Sequence, residues 1–117
     1  MATQSNLVSV FPEAPPLLGE LPALILPFCQ KHPISKMEVF GSVAQGRAEA
    51  GSDVDLMVTF LPEVDIPSRQ FLAMHQELEH LLHCRVDFME RRHVEQHENE
   101  IRRRHMLRGA KLIYGHP

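Results

Sequence analysis

Two short polar motifs, separated by ten residues, constrain the fold of this chain most strongly. The Gly-Ser motif 41–42 follows a largely apolar run at 37–40, and the Asp-Val-Asp motif 53–55 leads directly into a second apolar run at 56–58. Short apolar runs bounded by glycine and polar residues are typical of buried strands. The pattern therefore predicts a strand, a tight glycine turn, a polar connection and a second strand.

Each motif has the chemistry of one half of a phosphate-transfer site. On a strand, Asp53 and Asp55 would point to the same face, where two like charges repel unless a cation lies between them. A divalent metal ion, which prefers hard oxygen ligands, is the natural cation. Gly41 allows backbone N–H groups to approach an anion closely, and the Ser42 hydroxyl adds a donor. Together the motifs indicate metal-assisted phosphoryl or nucleotidyl transfer.

The combination of the two motifs carries a family resemblance. Either motif alone is most often a solvated loop, but both at this spacing, between two predicted strands, favour a functional site. The spacing Gly-Ser-x10-Asp-x-Asp resembles the signature of the DNA polymerase β-like nucleotidyltransferase superfamily. The flanks, residues 40–46 and 52–58, are similar to the minimal nucleotidyltransferase (MNT, MntA-like) family of prokaryotes. The resemblance covers residues 34–114, which is most of the chain.

This resemblance implies a fold and a setting. The fold is a small α/β (α+β) domain, the minimal nucleotidyltransferase fold, in which a mixed β-sheet carries helices on one face and the site on the other. Members of the family are short stand-alone domains, often the antitoxin beside a HEPN-type toxin. Larger relatives add a C-terminal helical domain, for which we expect no counterpart here. The acceptor side of the site is therefore expected to be completed by another protein.

A third carboxylate is expected on a later strand. Apolar residues recur at helical spacing over 68–82, and residues 85–89 have the pattern of a short strand. The resemblance implies a carboxylate in a Val-Asp pair on this strand, which matches Val86 and Asp87. Asp87 would help to bind a second metal ion and would accept the proton of the attacking hydroxyl. The alternative is that Asp87 is an ordinary strand-edge residue.

The remaining elements are predicted from periodicity and helix-breaking residues. Residues 1–16 are polar and then proline-rich, and they are predicted to be disordered, which leaves 17–117 as a single domain. Residues 17–31 carry the apolar stripe of a helix, which Pro27 is expected to kink or end. The other predicted elements are strands at 36–40, 53–60 and 112–114 and one charged helix at 90–108.

Composition argues against several classes of function. The net charge is −3 and the isoelectric point is near 6.2, which argues against direct nucleic-acid binding or attraction to an anionic membrane. Cys29 and Cys84 are too few for a disulfide scaffold, so free thiols are expected. Because no apolar run is long enough for a membrane span and no signal peptide is evident, a cytoplasmic location is expected.

Two further groups of residues could bind ligands, but each has a simpler interpretation. His93 and His97, with Glu95 between them, have a spacing that could hold a transition metal. No third ligand is near in sequence, so a solvated helix face is favoured. The arginine run 102–104 could contact nucleotide phosphates or an acidic partner. Because glutamates balance the run, a solvated helix is again the commoner outcome.

The activity that the resemblance implies is Mg²⁺-dependent transfer of AMP from ATP. Gly41 and Ser42 would hold the β- and γ-phosphates, Asp53 and Asp55 would bind two Mg²⁺ ions, and Asp87 would bind one ion and activate the acceptor hydroxyl. The acceptor would be a tyrosine of a HEPN-type toxin encoded by an adjacent gene and silenced by AMPylation.

Two alternatives stay open at this point. One is transfer of AMP to a small alcohol such as an aminoglycoside, which the expected lack of a second, substrate-binding domain disfavours. The other is a non-catalytic antitoxin that neutralises its partner by contact alone, which the three intact carboxylates disfavour. The identity of the base, the number of AMP groups and the oligomeric state are left open, since an exposed sheet edge can serve a dimer or a partner.

Overall fold

The computed structural model describes residues 14–116 of the chain. Most of the predicted disordered tail, residues 1–13, lies outside the described residues, while residues 14–16 form neither helix nor strand. A single 3₁₀ turn, Leu18–Glu20, then leads into the first helix. The predicted helix at 17–31 thus begins with this separate turn.

The described residues form five α-helices and four strands. In chain order they are α1 (Leu21–Lys31), β1 (Ile34–Phe40), α2 (Gly41–Ala44), β2 (Val54–Phe60), α3 (Ser68–Leu82), β3 (Val86–Glu90), α4 (Arg91–Glu95), α5 (Glu100–Arg108) and β4 (Lys111–Tyr114). All four predicted strands are present, and their bounds differ from the predicted ones by a residue or two.

The four strands form one mixed sheet in the order β3-β2-β1-β4. Strand β1 is antiparallel to β2 and to β4, whereas β2 and β3 are parallel, with α3 between them in the chain. The predicted mixed sheet of an α/β (α+β) fold is therefore confirmed. The register places Asp55 opposite Phe40 on one side and opposite Asp87 on the other. The end of β1 and the starts of β2 and β3 consequently meet at one end of the sheet.

One face of the sheet packs against the two long helices. The strand residues on this face are apolar and buried: Met37, Val39, Val54, Leu56, Val58, Val86 and Phe88. The helices α1 and α3 cover them with their own buried apolar residues: Leu21, Ile25, Phe28, Met74, Leu78 and Leu82. This main core explains the predicted apolar stripes, because residues spaced three or four apart lie on one side of a helix.

The opposite face is partly covered by the C-terminal helices. A second, smaller core forms around Phe40, Met57 and Val94. Partly buried residues from β3, α5 and the following turn pack against it: Met89, Met106, Leu107 and Ala110. Helices α4 and α5 thus shelter the middle of this face, and Asp87 at its end is exposed.

Helix α1 does not end at Pro27. The helix continues to Lys31, four residues beyond the proline, so of the two predicted effects of Pro27, a kink or the end of the helix, the second is wrong. Proline removes one backbone donor, which leaves the carbonyl of Ala23 without its helical partner. Both Ala23 and Pro27 are on the exposed side of the helix, where water can satisfy that carbonyl, so the buried side of the helix can continue.

The predicted helix at 90–108 was wrong in its length. Glu90 belongs to β3, and the rest forms two helices, Arg91–Glu95 and Glu100–Arg108, with a break at 96–99. The break has a local cause, because the Asn99 side chain accepts a hydrogen bond of 3.0 Å from the backbone N–H of Arg102. A side chain that caps the first turn in this way starts a new helix.

Both cysteines are free, as predicted, and both are buried. Burial raises the pKa of the Cys29 thiol to about 12. Burial, followed by the nearby carboxylates of Glu79 and Asp53, raises the pKa of Cys84 to about 11. Both side chains therefore behave as small core residues and not as reactive thiolates. Within residues 14–116, none of the helices has the length and apolar character that crossing a membrane requires.

Candidate active site

The backbone of Gly41 lies against the carboxylate of Asp55. Gly41 follows the last residue of β1, which is paired with Asp55 in the sheet, and its φ is +73°. A Cβ atom at position 41 would lie 2.1 Å from Oδ2 of Asp55. Residue 41 must therefore be glycine for two reasons, since a side chain would strain the backbone and collide with the carboxylate.

The connection after Gly41 is more regular than predicted. In place of a simple turn, residues 41–44 form one turn of helix, α2. The backbone N–H groups of Gln45 and Arg47 donate to the carbonyls of Gly41 and Ser42, which closes this turn. The first N–H groups of such a turn have no partner within it. The half-buried Ser42 thus lies at a position whose backbone and hydroxyl can donate to an anion.

Two of the three predicted carboxylates face each other across the parallel strands. Asp55 on β2 is opposite Asp87 on β3, and Asp53 lies one residue before β2. Asp55 is half-buried, whereas Asp87 is exposed. The structure therefore brings the three predicted residues to the same end of the sheet, beside Gly41 and Ser42.

The electrostatics of Asp55 show how close the three carboxylates are. Its pKa is raised from 3.8 to about 6, first by burial and then by the negative charges of Asp87 and Asp53. Each of these effects disfavours a charged carboxylate. The site therefore holds more negative charge than its surroundings compensate, which is the condition that a bound cation relieves.

These carboxylates fit a divalent cation that shares its coordination with a substrate. Among residues 14–116, no three His, Cys, Asp or Glu side chains are arranged to hold a metal ion by themselves. Mg²⁺ usually binds through one or two carboxylates and completes its shell with substrate phosphates and water. A buried oxygen of Asp53, Oδ1, has no hydrogen-bond partner within the described part of the chain. Hard oxygen donors with unused lone pairs are therefore present.

A cleft that the sequence did not predict opens beside Gly41. It has a volume of about 580 Å³ and runs between the end of β1 and helix α5. Its lining residues from these two sides are Phe40, Gly41, Gln45, Asn99, Ile101, Arg102, His105 and Met106. Asn99 is the signal that could have revealed it, because an N-cap there starts α5, the helix that lines one side of the cleft.

The arginine run 102–104 divides into different environments. Arg102 lines the cleft, Arg103 donates to the carbonyl of His97 at 2.7 Å, and Arg104 pairs with Glu100 at 2.9 Å. Only part of the run thus matches the solvated-helix interpretation, because one arginine faces the candidate site.

The transition-metal spacing at 93–97 does not form a metal site in this structure. His93 lies in α4 and is exposed, while His97 lies beyond the end of that helix. Glu95, between them, pairs with Arg91 at 2.9 Å. The two histidines are therefore not one turn apart on a single helix. The favoured interpretation as a solvated helix face holds for His93, whereas His97 is half-buried and its Nδ1 accepts a hydrogen bond of 3.1 Å from the backbone N–H of Asn99.

Comparisons with known proteins bear on the fold and the family of this chain. Residues 22–108 match the model of the nucleotidyltransferase domain family. A solved structure described as a minimal nucleotidyltransferase is 32% identical, with 80% of this chain and 90% of that chain covered and a TM-score of 0.60. A search of curated proteins found no match.

Two toxin–antitoxin structures share the fold. One, solved with AMP-PNP, is 19% identical over 82% of this chain and 74% of that chain, with a TM-score of 0.64. The other, a variant of the MntA-HpeT toxin–antitoxin, is 16% identical over 81% of this chain and 73% of that chain, with a TM-score of 0.61. At these identities the likeness is one of fold.

Proposed function

This chain belongs to the nucleotidyltransferase domain family, and we propose that it transfers AMP from ATP to a hydroxyl group of a partner toxin. It would thereby act as the antitoxin of a toxin–antitoxin pair. The contact between Gly41 and Asp55 is the observation that carries the proposal. That contact places a potential phosphate-binding backbone directly beside a carboxylate that lacks a counter-charge.

The phosphate side of the site is formed by the turn of helix after β1. The backbone of Gly41 and the backbone and hydroxyl of Ser42 would hold the β- and γ-phosphates of ATP. Any side chain at position 41 would fill the space against Asp55, so glycine lets the phosphates approach the carboxylates. The neighbouring cleft, which Arg102 and Gln45 line, offers room for the rest of the nucleotide.

The acidic side of the site is formed by Asp53, Asp55 and Asp87, which would hold two Mg²⁺ ions. When bound, such ions neutralise phosphate charge and make the α-phosphorus more electrophilic. Half-buried Asp55 is the central member of the group, since both other carboxylates influence its pKa. The oxygen of Asp53 that has no hydrogen-bond partner is a second candidate ligand atom.

Asp87 is proposed to accept the proton of the attacking hydroxyl. The acceptor oxygen forms a bond to the α-phosphorus, the bond to the α–β bridging oxygen breaks, and pyrophosphate leaves. The hydroxyl proton passes to the Asp87 carboxylate. Asp87 is exposed on β3, so a hydroxyl on the surface of another protein can reach it. The more buried Asp55 is less accessible to such an acceptor.

The proposed acceptor is a tyrosine of a HEPN-type toxin encoded by an adjacent gene. Two structures with the same fold are toxin–antitoxin proteins, one of them with the ATP analogue AMP-PNP. An acceptor on a macromolecule also suits a site that lies at an open end of the sheet. In this proposal the modified tyrosine inactivates the toxin.

Intact-mass spectrometry tests the proposal directly. The purified protein is incubated with Mg²⁺, ATP and the protein encoded by the adjacent gene, and the mass of that partner is measured. We expect one or more added AMP groups, and none with Asp53→Ala. A stable complex without added mass would instead support neutralisation by contact alone. If the partner is neither modified nor bound, small-molecule acceptors would be tested next.

A further inference from the structure

We propose that Arg85 is the built-in counter-ion of Asp53 in the metal-free protein and gives up this carboxylate when a divalent cation binds. Arg85 would thus be a positioning residue that sets the metal affinity of the site. The inference rests on the proposed function, because it assumes that Asp53 is a metal ligand. Arg85 does not belong to either sequence motif, and it comes near Asp53 only through the pairing of β2 with β3.

Arg85 holds the segment around Asp53 from both sides. Its Nε atom lies 3.2 Å from Oδ1 of Asp53, and its Nη2 atom donates to the carbonyl of Gly51 at 3.2 Å. The backbone carbonyl of Arg85 accepts a hydrogen bond of 3.0 Å from the N–H of Val54. One residue therefore fixes the loop before β2 and contributes a positive charge to the acidic group.

Arg85 is well placed to substitute for a metal charge. Within residues 14–116, no other cation forms an ion pair with Asp53, Asp55 or Asp87. The contact with Asp53 is an ion pair but not a hydrogen bond, since Oδ1 has no hydrogen-bond partner among the described residues. No hydrogen bond thus uses the lone pairs of Oδ1, and the Arg85 guanidinium lies within ion-pair distance of this atom.

The same geometry makes the contact easy to exchange. The Arg85 side chain is 64% exposed, so it can turn into solvent without leaving a cavity. Exposed ion pairs contribute little to stability. A dication beside Oδ1 would repel a guanidinium at this distance. Binding of the cation therefore requires Arg85 to move away from Asp53. The free energy of the lost ion pair weakens the binding of the metal.

Arg92 provides a matched control for this effect. Its side chain is 71% exposed, and its Nε atom lies 3.0 Å from Oε2 of Glu90. Arg92→Gln and Arg85→Gln therefore each remove one positive charge from an arginine that is mostly exposed, although its partner is 16% exposed in the case of Glu90 and 45% exposed in the case of Asp53. Only the second of them removes a contact to a proposed metal ligand.

The test is titration of the full chain with Mn²⁺, followed by electron paramagnetic resonance, without nucleotide and with AMP-PNP. In whichever condition the unchanged protein binds, we expect Arg85→Gln to lower the Kd for Mn²⁺ by about two- to fivefold. Arg92→Gln should leave the Kd unchanged. In an Asp53→Asn background, Arg85→Gln should have no further effect, because the carboxylate for which Arg85 and the cation compete is gone.

The sign of the change separates the two roles that Arg85 could have. A weaker affinity for Mn²⁺ in Arg85→Gln would mean that Arg85 only supports the loop, and it would overturn the inference. A Kd equal to that of Arg92→Gln would also overturn it. Failure of the proposed function would look different, because the unchanged protein would then bind no Mn²⁺ in either condition.

Discussion

Arg91 donates a hydrogen bond of 2.6 Å to Glu38, a carboxylate buried on the sheet face that helices α4 and α5 cover. Arg91 also binds Glu95 at 2.9 Å within α4. Glu38 is on β1, two residues before Phe40. The pair therefore links helix α4 to the strand that leads into Gly41.

Replacement of Arg91 should therefore destabilise the protein strongly. Arg91→Ala leaves the Glu38 carboxylate buried without its partner, and breaking a buried pair in this way costs about 3 kcal/mol. Urea unfolding of the metal-free protein measures the loss. Arg92→Ala removes a neighbouring arginine whose own side chain is 71% exposed and should have a smaller effect on the free energy of unfolding, about 1 kcal/mol. Equal effects of the two substitutions would contradict the structural role of the buried pair.

Gly41→Ala should reduce both stability and activity. The alanine must adopt a φ of +73° and its Cβ would overlap Oδ2 of Asp55. Gly46→Ala is a matched control, because Gly46 has a φ of +71° and nothing within 4 Å of its Cβ position. The control should lose only the backbone contribution, about 1 kcal/mol, and should keep its activity. Thermal unfolding and AMP transfer are measured on both variants. Gly46→Ala reports the effect of backbone strain alone, and the additional loss in Gly41→Ala reports the collision with Asp55.

Asp53→Ala and Asp55→Ala should each abolish AMP transfer while the fold is retained. Neither carboxylate supports the main core, and Asp55 is surrounded by like charges, so circular dichroism should be unchanged. Activity is measured by the added mass of the partner at saturating Mg²⁺ and ATP. Unfolding of either variant, or transfer at the unchanged rate, would argue against a role of these residues in metal binding.

The stability of the metal-free protein should depend on the charge of Asp55. Because its pKa is raised to about 6 in the folded state, the folded chain binds more protons than the unfolded chain between pH 4 and 6. Stability contributed by this group therefore falls as the pH rises through that window. Asp55→Asn should raise the free energy of unfolding at pH 7.5 by about 1 kcal/mol, a value reduced by solvent screening of a half-exposed carboxylate.

The same comparison at pH 4 provides the control. There both forms of residue 55 are largely uncharged in the folded state, so Asp55→Asn should have little effect. The measurement is urea unfolding in the presence of a chelator, since a bound cation would reverse the sign. A stabilising effect of equal size at both pH values would show that the burial of charge is not the cause.

The sequence predicted the strands well because their signals are local. The apolar runs beside Gly41 and Asp55 identify β1 and β2, and the Val-Asp pair lies on β3 as expected. The residue types at these positions also indicate their chemistry, since glycine and closely spaced aspartates have few other uses at such a spacing.

Other features depended on contacts that no local pattern reveals. The break before α5 arises from the side chain of Asn99, which competes with a strong run of helix-forming charged residues. The ion pair of Arg85 with Asp53 requires the parallel pairing of β2 with β3. Pro27 was misjudged because its effect depends on which side of the helix faces solvent.

The position of Asp87 on an outer strand has a mechanical consequence. Strand β3 has a neighbour on one side, β2, within the described sheet, and Asp87 and Asp55 face each other across that boundary. A cation shared by the two would join the margin of the sheet to its centre, so amide hydrogens of residues 86–90 should exchange more slowly once Mg²⁺ and AMP-PNP are bound. Strand β3 would then be most protected from exchange while Mg²⁺ and nucleotide are bound, and its amide exchange would become faster again after the products leave.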